Sequence, residues 1–199
     1  MSGFTVTLQD LNSDAINGAI ARASALFERR LKAPDKIAAA TARLTADPVG
    51  EGLGDADLLI EAVAENLAIK QSVFGDAEGK MKAGSIMATN TSAIPLEQIG
   101  AALAHPDRLI GMHFFNPVPV LPLVEIVYTD ASNPVFVGRA MYASGVMGKQ
   151  PIKCKSAPGF LVNRALIPYI FKAIDDVLAG ANPDKLDQAM VSYGMPMGP

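Results

Sequence analysis

Residues 111–127, GMHFFNPVPVLPLVEIV, contain two apolar runs separated by a segment with three prolines. Each run carries one ionisable side chain, His113 in the first and Glu125 in the second. Apolar runs of this length are typical of buried strands, and the prolines favour a turn because proline cannot continue a hydrogen-bonded strand. If the chain reverses there, the imidazole and the carboxylate can meet side by side. A buried carboxylate needs a cationic or donor partner, so this pair is the first candidate site.

Such a pair would have a definite chemical use. A carboxylate bonded to one ring nitrogen of His113 fixes the tautomer and steadies the imidazolium, which leaves the other nitrogen as a general base. Taken alone, a histidine on an apolar strand is more often an ordinary core residue than a catalyst. The hypothesis therefore depends on Glu125, whose burial is harder to explain without a partner.

Around this stretch, strand-like and helix-like segments alternate. The continuous apolar run LLIEAV, from Leu58, is typical of a buried parallel strand. Strands are predicted at residues 4–8, 58–63, 86–89, 109–115, 123–128 and 151–155, and helices at residues 12–32, 37–44, 67–81, 96–103, 134–147, 160–180 and from 183 onward. The alternation predicts an α/β fold with a mostly parallel sheet over residues 1–156, followed by the start of an all-helical domain over residues 157–199.

The composition argues against several classes of protein. The 199 residues are 50% hydrophobic, enough for a proper core, and the net charge of -3 argues against a nucleic-acid or anionic-membrane surface. One cysteine allows no internal disulfide, and two histidines with one cysteine cannot form the common zinc sites, so no metal is predicted. No apolar run approaches the roughly 20 residues of a membrane span. We expect a cytoplasmic or organelle-matrix protein.

Two segments invite comparison with nucleotide-binding sites. Asp10 ends the predicted strand TLQD, where it could bond a ribose 2′-hydroxyl in a dinucleotide-binding unit, although a helix-entry turn residue is the more common role for such an aspartate. The segment GEGLG, residues 50–54, precedes a strand, whereas a dinucleotide-binding glycine loop follows one and opens a helix. We therefore interpret GEGLG as an ordinary loop.

Polar residues also follow other predicted strands. Residues 90–92, NTS, would lie at the carboxyl end of a parallel sheet, where α/β folds bind ligands, or they could equally form a capping turn for the next helix. Glu65 ends another strand, with Lys70 in the helix after it, and the spacing alone favours an ordinary surface pair. PGFLVNR places the amide of Asn163 near the start of the long helix, at the predicted domain junction.

The segments TLQD, EAVAEN, TNTS, GMHFFNPVP, LVEIV and PGFLVNR, in this order and spacing, closely resemble the L-3-hydroxyacyl-CoA dehydrogenase family of fatty-acid β-oxidation. The resemblance covers essentially the whole chain. It implies a Rossmann-like fold, a 3-hydroxyacyl-CoA substrate oxidised to a 3-ketoacyl-CoA, and NAD as the cofactor. It also implies a homodimer or a multifunctional β-oxidation complex as the full-length form.

The resemblance gives each candidate residue a role. His113 matches the base that takes the hydroxyl proton, Glu125 matches its orienting partner, and Ser92 and Asn163 match residues near the reacting oxygen. The positions that match the NAD site are Asp10, Glu65, Lys70, Ser92 and Asn116. The basic residues that fall where family members contact CoA phosphates are Arg29, Arg30 and Lys32.

The sequence departs from the family pattern at both ends. The first strand, its G-x-G-x-x-G loop and the following helix have no match, and the helical domain stops at YGMPMGP. We therefore expect a fragment in which the strands beginning at Phe4 and Ile86 lack the neighbour between them, and which binds NAD poorly. Two alternatives to an active dehydrogenase stay open: a catalytically impaired acyl-CoA-binding or structural remnant, and a related dehydrogenase of another hydroxy acid or a sugar acid.

Overall fold

The computed structural model describes residues 2–195 and 197–199. Its strands are β1 (Val6–Leu8), β2 (Leu44–Ala46), β3 (Leu58–Glu61), β4 (Ile86–Thr89), β5 (Leu109–Phe114), β6 (Leu123–Tyr128) and β7 (Gln150–Lys155). Its α-helices are α1 (Ser13–Leu31), α2 (Pro34–Thr41), α3 (Leu67–Glu78), α4 (Leu96–Gly100), α5 (Pro134–Val146), α6 (Val162–Leu178) and α7 (Pro183–Tyr193). The predicted α/β fold, a mostly parallel Rossmann-like sheet followed by helices, is confirmed.

The main sheet has five strands in the order β3-β4-β5-β6-β7. Neighbouring strands are parallel except β5 and β6, which run antiparallel. The exception follows from the prolines at 117, 119 and 122, which end one strand and reverse the chain before the next. A connection this short suits an antiparallel pair, because a parallel pair needs a longer crossover. The sequence-based prediction that the two strands are neighbours is confirmed.

A second sheet contains only β1 and β2, paired in parallel with Val6 opposite Leu44. The prediction of a helix over residues 37–44 is wrong at its C-terminal end, because α2 ends at Thr41 and β2 begins at Leu44 after a two-residue turn. Three residues are too few to show an alternating pattern. The extended conformation of β2 comes from pairing with β1, which local sequence does not encode.

The two sheets are not joined among the described residues, and β1 and β3 are edge strands. The expectation that the strand at Ile86 lacks a neighbour is wrong, because β4 lies between β3 and β5. In a Rossmann sheet with the strand order 3-2-1-4-5-6, strand 4 adjoins strand 1. The strand of this chain that corresponds to strand 4 is β3, so the neighbour of strand 1 is β3 and not β4. Val6 on β1 and Ile60 on β3 are 40% and 38% exposed.

Helices cover both faces of the main sheet. On one face, Phe74 of α3 and Ile99 of α4 pack in a buried cluster with Met87 of β4. On the other face, Phe136 of α5 packs in a cluster with Ile110 of β5. Burying each large apolar side chain contributes about 1.5–3 kcal/mol, so the apolar central strands are held firmly at the middle of the fold.

Gly111 sets how closely β5 and β6 approach. It lies opposite Val127, and a Cβ added to it would be 2.6 Å from the Val127 Cβ. Only glycine fits this position without displacing β6. The close approach matters for function, because His113 and Glu125 face each other two residues further along the same ladder.

The C-terminal helices α6 and α7 carry several exposed apolar side chains, among them Ile167, Phe171, Ile174 and Leu178. Within residues 2–195 and 197–199, no helix combines the length and the apolar character that crossing a membrane requires.

Candidate active site

The centre of the candidate site is the pair formed by His113 and Glu125. They are register partners on β5 and β6, and His113 Nδ1 lies 2.6 Å from Glu125 Oε2. Both side chains are buried, and Glu125 is fully so. The predicted contact is therefore present. A carboxylate beside Nδ1 accepts a hydrogen bond from the protonated Nδ1, which leaves Nε2 with its lone pair free.

The second oxygen of Glu125 is anchored by the start of α6. Glu125 Oε1 accepts hydrogen bonds from the backbone N–H groups of Leu161 and Val162, each at 2.8 Å. N–H groups in the first turn of a helix have no acceptor within the helix, and the helix dipole there also favours a negative charge. The carboxylate of β6 thus caps α6, and it cannot rotate away from His113 without releasing both donors.

Aromatic side chains enclose the imidazole. The Phe115 ring centroid lies 4.5 Å from that of His113, and the buried Phe160 ring packs edge-on at 5.8 Å. Asn90 Oδ1 accepts a hydrogen bond from the Phe114 N–H, which ties the end of β4 to β5 beside the histidine. These contacts exclude water from most of the imidazole surface.

A turn at the carboxyl end of β4 is built around Glu65. Glu65 Oε1 accepts hydrogen bonds from Thr91 Oγ1 at 2.5 Å, the Ser92 N–H at 3.0 Å and the Ala93 N–H at 3.3 Å. Asn163 Nδ2 of α6 donates to the Ser92 carbonyl at 3.4 Å. The structure therefore brings Ser92, Asn163 and the dyad to one edge of the sheet. The segment is also a hydrogen-bonded turn before α4, so the two interpretations of residues 90–92 are compatible.

The pKa of Glu65 lies below its ordinary value of 4.5. Burial alone would raise this pKa. The hydrogen bonds from Thr91 and Ser92, together with the Lys70 ammonium, outweigh that effect. Glu65 is therefore a carboxylate at neutral pH, as its role as an acceptor in the turn requires.

Lys70 is not the surface residue that its spacing from Glu65 favours. It is 1% exposed, and its Nζ lies 2.8 Å from Glu61 Oε1 and 3.3 Å from Glu65 Oε2. Glu61 also accepts from the Val63 N–H at 2.7 Å and from Thr89 Oγ1 at 2.7 Å. The surface-pair interpretation is wrong because Lys70 lies on the inward face of α3, over the end of β3. Glu61 was missed, although an acid inside the apolar run LLIEAV was a visible signal.

Asp10 and Asn116 lie at the outside of the site. Asp10 follows β1 and its Oδ1 accepts from the Asn12 N–H at 2.8 Å, while Asn12 caps α1. The helix-entry role of Asp10 is therefore present, and its exposed carboxylate keeps a free oxygen. Asn116 is exposed on the loop between β5 and β6.

The three basic residues lie exposed at the C-terminal end of α1. Arg29 and Arg30 are in the last turn, and Lys32 caps the helix in the left-handed conformation, with φ 57°. Arg30 Nη2 donates to the Pro119 carbonyl at 3.4 Å. The basic end of α1 thus contacts the loop that connects the strands of the dyad.

The single cysteine, Cys154, is partly buried. Burial raises the pKa of the Cys154 thiol to about 11, and the nearby Glu125 carboxylate adds to the shift. The thiol is therefore protonated at neutral pH and a poor nucleophile. Among the side chains that the structure describes, no group of three or more histidine, cysteine or acidic residues could hold a metal ion.

Comparison with known proteins assigns the chain to a family. Residues 1–157 match the model of the 3-hydroxyacyl-CoA dehydrogenase NAD binding domain, and residues 159–199 match that of the 3-hydroxyacyl-CoA dehydrogenase C-terminal domain. The chain belongs to the 3-hydroxyacyl-CoA dehydrogenase family. The family relationship supports NAD as the cofactor.

Similar proteins agree with this assignment. The chain is 36% identical to the fatty acid oxidation complex subunit alpha of Pseudomonas entomophila, over 100% of this chain and 28% of that protein. It therefore spans less than a third of the length of the curated relatives it matches. Among solved structures, 3-hydroxybutyryl-CoA dehydrogenase from Escherichia coli is 34% identical with a TM-score of 0.95, over 100% of this chain and 43% of that one. FadB2 of M. tuberculosis is 36% identical with a TM-score of 0.92, over 99% of this chain and 72% of that one.

The described residues fit part of the family's cofactor. Asp10 offers an exposed carboxylate after β1, Ser92 lies in the turn after β4, and Asn116 lies on the loop after β5. The only described glycine-rich segment, residues 50–54, does not serve as a pyrophosphate cradle, because the N–H groups of Glu51 and Gly52 already donate to the Asp47 carboxylate at 2.9 Å and 2.8 Å. As the sequence predicts, this segment is a loop, with one short 3₁₀ turn. Within residues 2–195 and 197–199 the pyrophosphate therefore has no fitted cradle.

Proposed function

We propose that this chain carries the dyad for oxidation of L-3-hydroxyacyl-CoA to 3-ketoacyl-CoA with NAD, as a step of fatty-acid β-oxidation. The observation that supports this most is the buried contact between His113 and Glu125, with the carboxylate fixed by the N-terminus of α6. A core histidine does not need an acid held by two further donors. A general base does, because its ring must stay in one orientation and one tautomer.

The proton step follows from the tautomer. His113 keeps its proton on Nδ1 and donates it in the hydrogen bond to Glu125. Nε2 is therefore the nitrogen that takes the proton of the substrate C3 hydroxyl. The imidazolium that forms lies against the fixed negative charge of Glu125, which stabilises it. When bound, NAD would supply the acceptor for the hydride from C3. The rings of Phe115 and Phe160 keep water from the reacting atoms.

Ser92 and Asn163 are proposed to hold the reacting oxygen. The contact between Asn163 Nδ2 and the Ser92 carbonyl places both side chains at one edge of the sheet. A hydroxyl and an amide there can donate to the oxygen as it becomes a carbonyl. Asp10, Glu65, Lys70, Ser92 and Asn116 are the residues proposed for the NAD site. Lys70 acts there through Glu65, since its ammonium is buried between two carboxylates.

We propose that the basic end of α1 binds the phosphates of CoA. Arg29, Arg30 and Lys32 are exposed, and Arg30 contacts the loop after β5. Arginine binds phosphate in a bidentate manner, which suits this role. We also propose that the full-length form belongs to a multifunctional fatty-acid oxidation complex or forms a homodimer; the names of the curated relatives, subunits of a fatty acid oxidation complex, support the first of these.

A second candidate function is an acyl-CoA-binding module without dehydrogenase activity. The observation that favours it is the exposed basic end of α1, whose proposed contact with CoA phosphates does not depend on NAD. The two functions differ in cofactor binding: an active dehydrogenase binds NADH and turns over acetoacetyl-CoA, whereas a binding module retains acyl-CoA and shows neither activity. A dehydrogenase of another hydroxy acid would turn over its own substrate in preference to acetoacetyl-CoA.

The experiment that tests the proposal uses the two histidines of the chain. In a full-length version that binds NADH, His113→Gln should lower turnover of acetoacetyl-CoA by about 10²–10⁴-fold, the usual contribution of a general base. His105→Gln is the matched control, since His105 is exposed and should change turnover less than about twofold. Equal turnover in the His113 variant and the unsubstituted chain would assign His113 to the core and refute the proposal.

A further inference from the structure

Glu61 is a fully buried carboxylate outside the dyad. Its two oxygens accept hydrogen bonds from three donors, the Lys70 ammonium, the Val63 N–H and the Thr89 hydroxyl, at 2.7 to 2.8 Å. It lies at the carboxyl end of β3, beside the end of β4. None of the family-derived roles includes it.

Glu61 is connected to the substrate side of the site through Lys70. The ammonium that Glu61 holds is also 3.3 Å from Glu65 Oε2, and the other oxygen of Glu65 accepts from Thr91, Ser92 and Ala93. The series of contacts is continuous from the buried end of β3 to the turn that carries Ser92.

We infer that Glu61 is a positioning residue for the turn that carries Ser92. Only the expected effect on turnover rests on the proposed function; the effect on the structure of the turn does not. Lysine is a point charge on a flexible stem, so one carboxylate alone does not fix where the ammonium lies. Glu61 fixes the position of the ammonium, and Lys70 then holds the Glu65 carboxylate where it accepts hydrogen bonds from the N–H groups of Ser92 and Ala93. A buried ion pair by itself is weak evidence of stabilisation, because desolvation offsets its Coulomb energy. The position of Ser92 is the property that this pair controls.

The test uses Glu61→Gln in the full chain, with Asp57→Asn as the matched control. Asp57 lies just before β3 and pairs with Lys82 at 3.3 Å, but both side chains are exposed. We expect Glu61→Gln to speed amide hydrogen exchange at Ser92 and Ala93 about tenfold, as loss of one charged hydrogen bond in the series would. Exchange at Leu161 and Val162, which bind Glu125, should change less than twofold. Asp57→Asn should change neither pair.

A double variant separates positioning from general destabilisation. If Glu61 acts through Glu65, Glu61→Gln combined with Glu65→Gln should give no faster exchange at Ser92 than Glu65→Gln alone, since contacting residues in one network are not additive. Equal acceleration at Ser92 and Leu161 would mean global loosening and would overturn the inference. So would unchanged exchange at Ser92.

Turnover reports separately on the proposed function. In an active chain, Glu61→Gln should lower kcat for acetoacetyl-CoA about tenfold at every pH, with the shape of the pH profile kept, because the dyad is untouched. In a polypeptide that turns over acetoacetyl-CoA, selective exchange at Ser92 with unchanged kcat would overturn the proposed role of Ser92 in the reaction and support the positioning role. Should Glu61→Gln fail to fold, Glu61→Asp keeps the charge but shortens the side chain that reaches Lys70, and a few-fold faster exchange at Ser92 is then expected; its absence would overturn the inference.

Discussion

Replacing Glu125 with glutamine keeps the shape of the side chain while removing its charge and one acceptor oxygen. In the native arrangement Oε1 accepts from the Leu161 and Val162 N–H groups and Oε2 accepts from His113. All three groups facing the side chain are donors. Glutamine offers one oxygen and one amino group, so it cannot satisfy all three.

The orientation of the glutamine follows from these donors. With its oxygen toward Leu161 and Val162, two N–H groups stay satisfied and the amino group faces His113. The opposite orientation would place the amino group against two N–H donors at once and keep only the bond from His113, which is worse by two hydrogen bonds. The favoured orientation makes the glutamine a donor to Nδ1. The proton of the neutral imidazole then moves to Nε2, the nitrogen that must act as the base.

The expected loss of turnover follows from the wrong tautomer together with the lost charge. We expect kcat with acetoacetyl-CoA and NADH to fall by about 10²–10⁴-fold, as an acid-to-amide change in a comparable orienting residue does. Stability should fall by about 1–3 kcal/mol, because three charge-assisted hydrogen bonds become neutral or are lost. Glu125→Ala should cost more, about 3–5 kcal/mol, since it leaves the Leu161 and Val162 donors buried without a partner.

Steady-state kinetics over a pH series, thermal unfolding and imidazole ¹⁵N shifts measure these three effects. Glu97→Gln is the matched control, because Glu97 accepts a hydrogen bond from Ser156 at an exposed position. A Glu125→Gln variant that keeps unchanged turnover would refute the orienting role of the carboxylate. A variant whose ¹⁵N shifts still place the proton on Nδ1 would refute the tautomer argument, even with reduced turnover.

Three other perturbations test separate parts of the structure. Gly111→Ala should destabilise the fold by about 1–3 kcal/mol in thermal unfolding, because its Cβ would lie 2.6 Å from that of Val127, whereas Gly75→Ala, with open space around it, should not destabilise. The lowered pKa of Glu65 gives stability that is present above pH 4.5 and lost as pH falls further, so Glu65→Gln should flatten the acid side of the stability curve; an unchanged curve would contradict this. Asp10 should favour NAD over NADP in kcat/KM by repelling a 2′-phosphate, and a preference for NADP would refute its assignment.

The sequence predicts the dyad because both features that define it are local. Glu125 interrupts an apolar strand, and prolines between it and His113 force a reversal. Antiparallel neighbours that are joined by a short connection can have only a few registers, and one of them pairs these two residues. The anchoring of Glu125 by Leu161 and Val162 could not be predicted, since it depends on where α6 docks 36 residues later.

The strand β2 and the edge position of β3 illustrate a different limit. Residues 44–46 have no pattern of their own, and they are extended because β1 lies beside them. The expectation for Ile86 was wrong because the strand that begins there was given the wrong place in the sheet. Its apolar sequence suits any central strand, so the residues of β4 could not correct the error. Strand order is a property of the whole sheet, so an error of one position leaves every local prediction intact.

Glu61 shows where the same reasoning could have gone further. It interrupts the apolar run LLIEAV just as Glu125 interrupts LVEIVY, and a buried carboxylate requires a donor in either case. Applied to both strands, the requirement of a donor for a buried carboxylate predicts a partner for Glu61 as well as for Glu125. For Glu125 the partner is on the neighbouring strand, whereas for Glu61 it is Lys70, nine residues later on a helix that folds back over the strand end. The sequence therefore predicts that each acid has a partner, and the identity of that partner depends on the packing of α3 against β3, which only the tertiary structure supplies.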